Sequence, residues 1–193
     1  VEATNNQLKQ QIHPHFLFNS LNMLKTLIKK DPDQATDYLV KLSDFLRASL
    51  LSSNPNVVRL EDELKLCYDF LDMQKIRFGD ALNFRIQIPA EVQESVFVPV
   101  FSLLSLLENA IKHNQLTNEL PLHIQVSYLD GHIIVSNNLQ PKFSSEPSTG
   151  LGLENLAERY RIISGDEIVI NNDGRTFSVN INTVPDESSN YRR

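Results

Sequence analysis

Two histidines flank a proline near the start of the chain, in the segment His13-Pro14-His15, and Asn19 follows four residues after the second histidine. Residues four apart share one face of a helix, so His15 and Asn19 should project together. His13 lies about 200° away from His15 around the helix, so at most one of the two faces a given partner. A proline inside a helix costs roughly 3 kcal/mol and kinks it. The pattern therefore has two equally supported interpretations. One is a reactive imidazole presented to a partner, and the other is a simple helix kink with two surface histidines.

A second segment, Glu108-Asn109-Ala110-Ile111-Lys112-His113-Asn114, ends an apolar helical run. Asn109, Lys112 and His113 fall on one helical face, at spacings of three and four residues. They offer an amide oxygen, a permanent cation and an imidazole, which together suit Mg²⁺ and phosphate groups. Taken alone, the segment is better explained as the polar face at the end of an apolar helix.

A third segment, Thr149-Gly150-Leu151-Gly152, leads directly into a predicted helix. Backbone N–H groups converge at a helix N-terminus and the helix dipole favours anions there, so this turn could bind phosphate. It lacks the GK[ST] of a Walker loop, and Asn155 stands where the third glycine of G-x-G-x-x-G would be. By itself the segment is a weak signal.

Helices must present the first segment. Apolar residues recur at three- and four-residue steps over 5–30, which predicts one long helix. Asp31 can cap the next helix and Pro32 suits its first position, so a second helix should run to about Leu51. Two helices joined so closely pack antiparallel, and a second copy would complete a four-helix bundle. The sequence therefore predicts a homodimer.

The rest of the chain predicts a third helix over 60–78, stopped by Gly79, followed by alternating strands and helices. Asp130-Gly131 and Asp173-Gly174 are hairpin signals. The expected strands are 82–88, 122–128, 132–136, 168–171 and 176–182, and the expected helices are 98–113 and 151–163. The predicted fold class is α+β, with a helical hairpin over 1–56, a connecting helix and α/β sandwich over 57–183, and a frayed tail over 184–193.

Composition excludes several classes of protein. The formal net charge is -6 over 193 residues, without the basic face that nucleic-acid binding requires. A single cysteine, Cys67, excludes an intrachain disulfide and fits a reducing compartment. No run reaches the roughly 18 apolar residues of a membrane helix. The chain begins at Val1, and we expect it to be a fragment of a longer protein.

Taken in chain order, the three segments resemble the LytS/YehU-like branch of sensor histidine kinases, of the two-component signalling type. The run Gln11-Ile12-His13-Pro14-His15-Phe16-Leu17-Phe18-Asn19-Ser20-Leu21-Asn22 looks like that family's phosphoacceptor box. The segment 108–114 looks like the N box of the GHKL ATP-binding fold, and 149–155 like its second glycine box. Runs at 42–47 and 74–78 resemble the family's signatures on the second and third helices.

The resemblance implies an ATP-dependent protein-histidine kinase in which His15, and not His13, accepts the γ-phosphate. Asn109 would hold Mg²⁺, and Asn137 would meet the adenine base. The implied nucleotide-binding set is Asn109, Lys112, His113, Asn137, Thr149, Gly150, Leu151 and Gly152. The phosphate would pass to an aspartate of a response regulator. The fragment would lie on the cytoplasmic side of the inner membrane, with no membrane or nucleic-acid contact of its own, in a full-length protein anchored in the membrane.

Two positions depart from the family's pattern. The adenine box usually reads D-x-G-x-G, whereas Val135-Ser136-Asn137-Asn138-Leu139 contains no glycine. A neutral amide oxygen accepts a weaker hydrogen bond than a carboxylate does, which predicts weakened nucleotide affinity. Phe16 stands where many other histidine kinases place an acid, and Glu108 is the candidate base instead, or simply a solvated or structurally paired charge. The alternative function is a nucleotide-poor pseudokinase or scaffold that signals through its dimer bundle.

Overall fold

The structure is a computed structural model that describes residues 14–51, 56–142 and 151–184. The chain forms two compact units. The first contains the described residues up to 51 together with 69–77, and the second contains the remainder. Within the described ranges, no helix is both long enough and apolar enough to cross a membrane.

The first unit is built on a helical hairpin. Helix α1 runs Pro14–Lys30 and α2 runs Pro32–Leu51, with Asp31 between them. A carboxylate oxygen of Asp31 accepts a hydrogen bond from the backbone N–H of Gln34 at 3.0 Å, which caps α2 as the sequence predicted. The predicted kink before His15 lies at the edge of the described residues, and His13 lies outside them.

Three phenylalanines form the core of this unit. The ring of Phe16 lies 4.9 Å from that of Phe45 on α2 and 5.4 Å from that of Phe70. Because Phe16 is near the start of α1 and Phe45 near the end of α2, the two helices are antiparallel. On α1, Leu21 and Ile28 are 49% and 59% exposed. The apolar surface of α1 is therefore wider than one hairpin can cover.

The second unit contains a five-stranded mixed sheet. Its strands are β2 Leu82–Gln87, β4 Leu122–Leu129, β5 His132–Asn138, β6 Val169–Asn172 and β7 Thr176–Asn182. They lie in the order β2-β4-β5-β7-β6, in which β2 and β4 are parallel and the other neighbours are antiparallel. Both predicted hairpins are present, and Asp130 and Gly131 both have positive φ, as the turn between two strands requires.

Helices and a small second sheet complete this unit. Helix α3 (Leu60–Phe78) passes from the second unit into the first and ends at Gly79, whose φ is 55°. Alternate residues of β4 and β5, among them Ile124 and Ile133, are buried under helix α5, which runs Ser102–His113. The remaining elements are β1 Val57–Arg59, α4 Ala90–Ser95, β3 Phe97–Pro99, α5 Ser102–His113 and α6 Leu151–Ile163.

The predicted helix over 98–113 begins four residues too early. Val98 lies in strand β3, where it pairs with Val58 of β1. Phe101 then turns the chain with a φ of 60°, a conformation that few residues other than glycine adopt. The helix starts only at Ser102. The apolar run 96–107 conceals this boundary, because Val and Phe suit a short buried strand as well as a helix.

Candidate functional site

Helix α5 carries the polar face that the sequence identified. Leu103, Leu107 and Ala110 are buried, which fixes the rotation of the helix about its axis. Asn109 and His113 are consequently half-buried, and Lys112 is exposed. Glu108 is also half-buried. The structure thus places Asn109, Lys112 and His113 on one accessible face, as their spacing predicted.

The imidazole of His113 is set in a cationic environment. Burial lowers its pKa, and the nearby Lys112 and Lys142 lower it further. Lys142 Nζ donates to the backbone oxygen of Lys112 at 2.7 Å, at the negative end of the helix dipole. His113 is therefore neutral at pH 7, able to donate one hydrogen bond and accept another.

The start of α6 lies against Asn109. A Cβ atom built on Gly152 would be 3.3 Å from Asn109 Oδ1 and 3.4 Å from Asn109 Nδ2. Only glycine lets the backbone approach the amide this closely without a shift. Leu151 begins the helix, while Thr149 and Gly150 lie outside the described residues. The structure therefore brings Gly152, a residue of the predicted glycine segment, close to Asn109, the predicted magnesium ligand.

Asn137 lies at the end of β5, on the buried face of the sheet. Its side chain is 5% exposed, in the same alternating series as Ile133 and Val135. Its Nδ2 donates a hydrogen bond to the backbone oxygen of Asn138 at 2.7 Å. Its Oδ1 is therefore the side-chain atom that can accept a hydrogen bond from a ligand. A buried amide acceptor at a strand end fits the recognition of an amino group.

His15 lies in the first turn of α1, in the first unit. The structure does not describe its side chain, but the next residue, Phe16, is only 7% exposed and is held by Phe45 and Phe70. Phe16 is thus a core residue that fixes the rotation of α1 beside the histidine. This accounts for the aromatic residue directly after His15.

Glu63 of α3 caps the start of α5, a role that the sequence did not predict. Its carboxylate accepts three backbone hydrogen bonds, from Phe101 at 2.9 Å, Leu103 at 3.0 Å and Leu104 at 3.2 Å. These N–H groups have no partner within the helix. Burial raises the pKa of Glu63 to about 7, although the three N–H groups and Arg159 oppose the shift. In the sequence, Glu63 is one of three consecutive acids at a helix start, so nothing distinguished it.

Arg159 ties α6 to the same end of α5. Its guanidinium donates to the backbone oxygen of Val100, just before the helix. Burial lowers the pKa of Arg159, and the carboxylate of Glu63 opposes this. Helix α6 is therefore held against α5 at two places, at Arg159 and at Gly152. This arrangement fixes Asn109 relative to the N-terminus of α6.

The donor set around Asn109 fits Mg²⁺ bound together with phosphate. Among the described residues, no three His, Cys, Asp or Glu side chains are grouped as a metal site. Mg²⁺ typically takes only one or two protein oxygens and completes its shell with water and substrate phosphates. The amide oxygen of Asn109, close to a helix N-terminus that favours anions, meets that requirement.

A separate polar cavity of about 370 Å³ opens on the exposed face of the sheet. Its lining includes Arg85, His123 and Asn138, whose side chains alternate with the buried ones, and also Asn137. Asn137 is thus one of the predicted nucleotide-binding residues that line the cavity, whereas Asn109, Lys112, His113 and Gly152 do not line it. We therefore place the candidate phosphate site at α5.

Comparison with known proteins gives a consistent result. The family described as histidine kinase matches residues 3–82. The sensor protein LytS of Staphylococcus saprophyticus is 32% identical over 86% of this chain and 31% of its own length. The sensor histidine kinase/phosphatase LytS of Staphylococcus aureus strain N315 is 30% identical over 91% of this chain and 34% of its own length. The chain therefore spans about a third of the length of the curated relatives it matches.

A solved structure also aligns with the chain. The catalytic domain of histidine kinase ThkA covers 67% of this chain and 97% of its own, with 18% identity and a TM-score of 0.48. The α+β architecture seen here, helices beside a mixed sheet, is consistent with a GHKL-type fold.

Proposed function

Because the chain belongs to the LytS-like histidine kinases, we propose that it transfers the γ-phosphate of ATP to its own His15. The phosphate would then pass to an aspartate of a response regulator. The family supports a sensor histidine kinase core, and the arrangement of α5 and α6 supports a nucleotide site in the second unit. The full-length protein would be anchored in a membrane, with this portion on the cytoplasmic side.

Each part of the nucleotide has a proposed partner. Asn109 would hold Mg²⁺, which neutralises phosphate charge when bound, and Lys112 and His113 would approach the phosphates. Asn137 would accept a hydrogen bond from the adenine amino group. The turn entering α6, from Thr149 through Gly150 and Leu151 to Gly152, would offer backbone N–H groups to the phosphates.

In the proposed step, a ring nitrogen of neutral His15 attacks the γ-phosphorus. A P–N bond forms while the bond from phosphorus to the bridging oxygen breaks, and ADP leaves. The proton remaining on the imidazole passes to a base, for which Glu108 is the candidate. Little other covalent chemistry is needed, so the protein contributes positioning and charge neutralisation.

The observation that carries the proposal is the approach of Gly152 to Asn109. A cation-binding amide and an anion-binding helix N-terminus are useful together when the ligand is a metal-bound phosphate. Two segments separated by about 40 residues in the chain meet here in a second unit that is distinct from the one with His15.

Incubation of the protein with γ-labelled ATP and Mg²⁺ tests the proposal. We expect label on the protein that is lost in acid, because a phosphoramidate is acid-labile, and that is absent from His15→Gln. His13→Gln is the matched control and should retain the label. Label that persists in His15→Gln would contradict the assignment of the phosphoacceptor. A folded dimer that takes up no label and gives no heat with millimolar ATP would instead support the nucleotide-poor scaffold.

A further inference from the structure

The segment after Asn137 is held in place by side-chain amides. We call Asn114, Asn138 and Gln140 the amide clamp. Asn114 is 3% exposed at the C-terminal end of α5. Its Nδ2 donates to the backbone oxygen of Ala110 at 2.8 Å, and its Oδ1 accepts from the backbone N–H of Gln140 at 2.8 Å. One side chain thus joins the last turn of α5 to the segment that follows β5.

Gln140 extends the clamp to the loop that follows α5. Its Nε2 donates to the backbone oxygens of Gln115 at 2.6 Å and Leu120 at 2.8 Å. Its Oε1 accepts from Asn138 Nδ2 at 3.2 Å, and its backbone oxygen accepts from the N–H of Gln115 at 2.8 Å. Each polar group of Gln140, in its side chain and its backbone, has a partner.

Asn138 links the clamp to the sheet. Its Oδ1 accepts from the backbone N–H of His123 at 2.7 Å, and its Nδ2 also donates to the backbone oxygen of Pro121 at 3.1 Å. Asn137, immediately before it, donates its own amide to the Asn138 backbone oxygen. The position of the Asn137 side chain therefore depends on a backbone that the clamp fixes.

We propose that the amide clamp positions Asn137 to receive the adenine base, an inference that rests on the proposed function. In a D-x-G-x-G adenine box, the glycines give the backbone the conformational freedom to approach a ligand closely. This chain has no glycine over 135–139, and side chains hold the backbone instead. A preorganised acceptor binds without the entropic cost of ordering it, which offsets part of the weaker bond from a neutral amide.

Base selectivity tests this role. The affinities of Asn114→Ala and Gln140→Ala for ATP and for GTP, each with Mg²⁺, should be measured by isothermal titration calorimetry. We expect ATP affinity to fall about tenfold, as loss of one buried hydrogen bond would produce. GTP affinity should fall less, because Asn137 is an acceptor suited to the amino group of adenine. The ATP-to-GTP ratio should therefore decrease, which a general loss of stability would not produce.

The control is Gln125→Ala, which removes an exposed amide on the other face of the same sheet. It should leave both affinities within about twofold of the unaltered protein, in the range of ordinary surface substitutions. Folded clamp variants with an unchanged ATP-to-GTP ratio would overturn the inference. Failure of the unaltered protein to bind either nucleotide would overturn the proposed function itself, so the two failures are distinguishable.

Asn114→Asp tests the two hydrogen bonds of Asn114 separately. It also replaces the alanine variants in this experiment if those do not fold. Aspartate keeps the acceptor for the Gln140 N–H and loses the donor to Ala110. We expect it to retain slow hydrogen exchange at the Gln140 amide and most of the ATP-to-GTP ratio. Loss of that ratio while the Gln140 amide remains protected would show that the clamp does not act through this segment.

Discussion

At the scale of single residues, Gly152 is the position where one added atom has the most specific effect. In Gly152→Ala the new Cβ would lie 3.3 Å from Asn109 Oδ1, so the amide must move by a few tenths of an ångström. We expect ATP affinity with Mg²⁺ to fall about three- to tenfold, because the proposed metal ligand is displaced. Calorimetric titration of both proteins measures this.

The loss of binding in Gly152→Ala should not come from a loss of stability. Alanine in a helix is favoured over glycine by roughly 0.5–1 kcal/mol, which offsets the cost of moving the Asn109 amide, so the melting temperature should change little. Ile162→Ala, at an exposed residue near the other end of the same helix, is the control and should leave the affinity unaltered. Normal ATP binding by Gly152→Ala would show that the close approach to Asn109 has no role in the site.

At the scale of elements, Glu63 determines how α5 begins. In Glu63→Gln, only one side-chain oxygen remains for three backbone donors, and we expect the free energy of unfolding at pH 5 to fall by about 2 kcal/mol. Urea denaturation measures it. Glu61→Gln, an exposed acid of the same first turn, is the control and should change little.

The stabilising effect of Glu63 should depend on pH. Burial raises its pKa to about 7 in the folded state, from 4.5 in the unfolded chain. Between these values the folded protein binds more protons than the unfolded one, so stability falls as pH rises. The difference between the unaltered protein and Glu63→Gln should therefore be largest near pH 5 and shrink by about pH 8. If the difference in the free energy of unfolding instead grew between pH 5 and pH 8, the raised pKa assigned to Glu63 would be wrong.

Most elements could be predicted from local patterns, and the exceptions have a shared cause. The helices at 32–51, 60–78 and 151–163 and both hairpins are confirmed, because Pro, Gly and Asp-Gly turns mark their ends. The missed elements are β1, α4, β3 and the true start of α5. Each depends on a tertiary partner, such as the pairing of Val98 with Val58 or the cap from Glu63, which periodicity does not reveal.

The sequence predicted which residues form the candidate site, but not the tertiary contacts that hold them in position. Spacing alone placed Asn109, Lys112 and His113 on one face, and the glycine segment at a helix start. The contact of Gly152 with Asn109, the cap from Glu63 and the bonds by which the amide clamp reaches other elements join residues about 15 to 45 positions apart. Such contacts depend on the order of strands in the sheet, which a single sequence does not specify.

At the scale of the whole molecule, the exposed side of α1 supports the proposed homodimer. Phe18, Leu21 and Ile28 are 68%, 49% and 59% exposed and share one helical face. We expect Leu21→Glu to weaken dimerisation at least about 100-fold, because a buried unpaired charge costs roughly 3–5 kcal/mol. Analytical ultracentrifugation over a range of concentrations measures the shift to monomer.

Ile162→Glu is the control for that experiment, since Ile162 is 74% exposed on α6 in the other unit. It should leave the dimer intact. Both variants should bind ATP as the unaltered protein does, because neither change lies among the proposed nucleotide-binding residues. Dissociation by Ile162→Glu and not by Leu21→Glu would place the interface elsewhere.

The buried thiol makes the protein well suited to site-directed spectroscopy. Cys67 is the single cysteine, is 0% exposed, and has its pKa raised by burial and by the carboxylates of Glu63 and Glu108. A thiol of this kind reacts slowly with maleimides and spin labels. Cysteines introduced at Val40 on α2, which is 55% exposed, and at Ile162 could therefore be labelled selectively in the otherwise unaltered chain. Fluorescence or electron-spin measurements of the distance between the two labels could then be made with and without ATP.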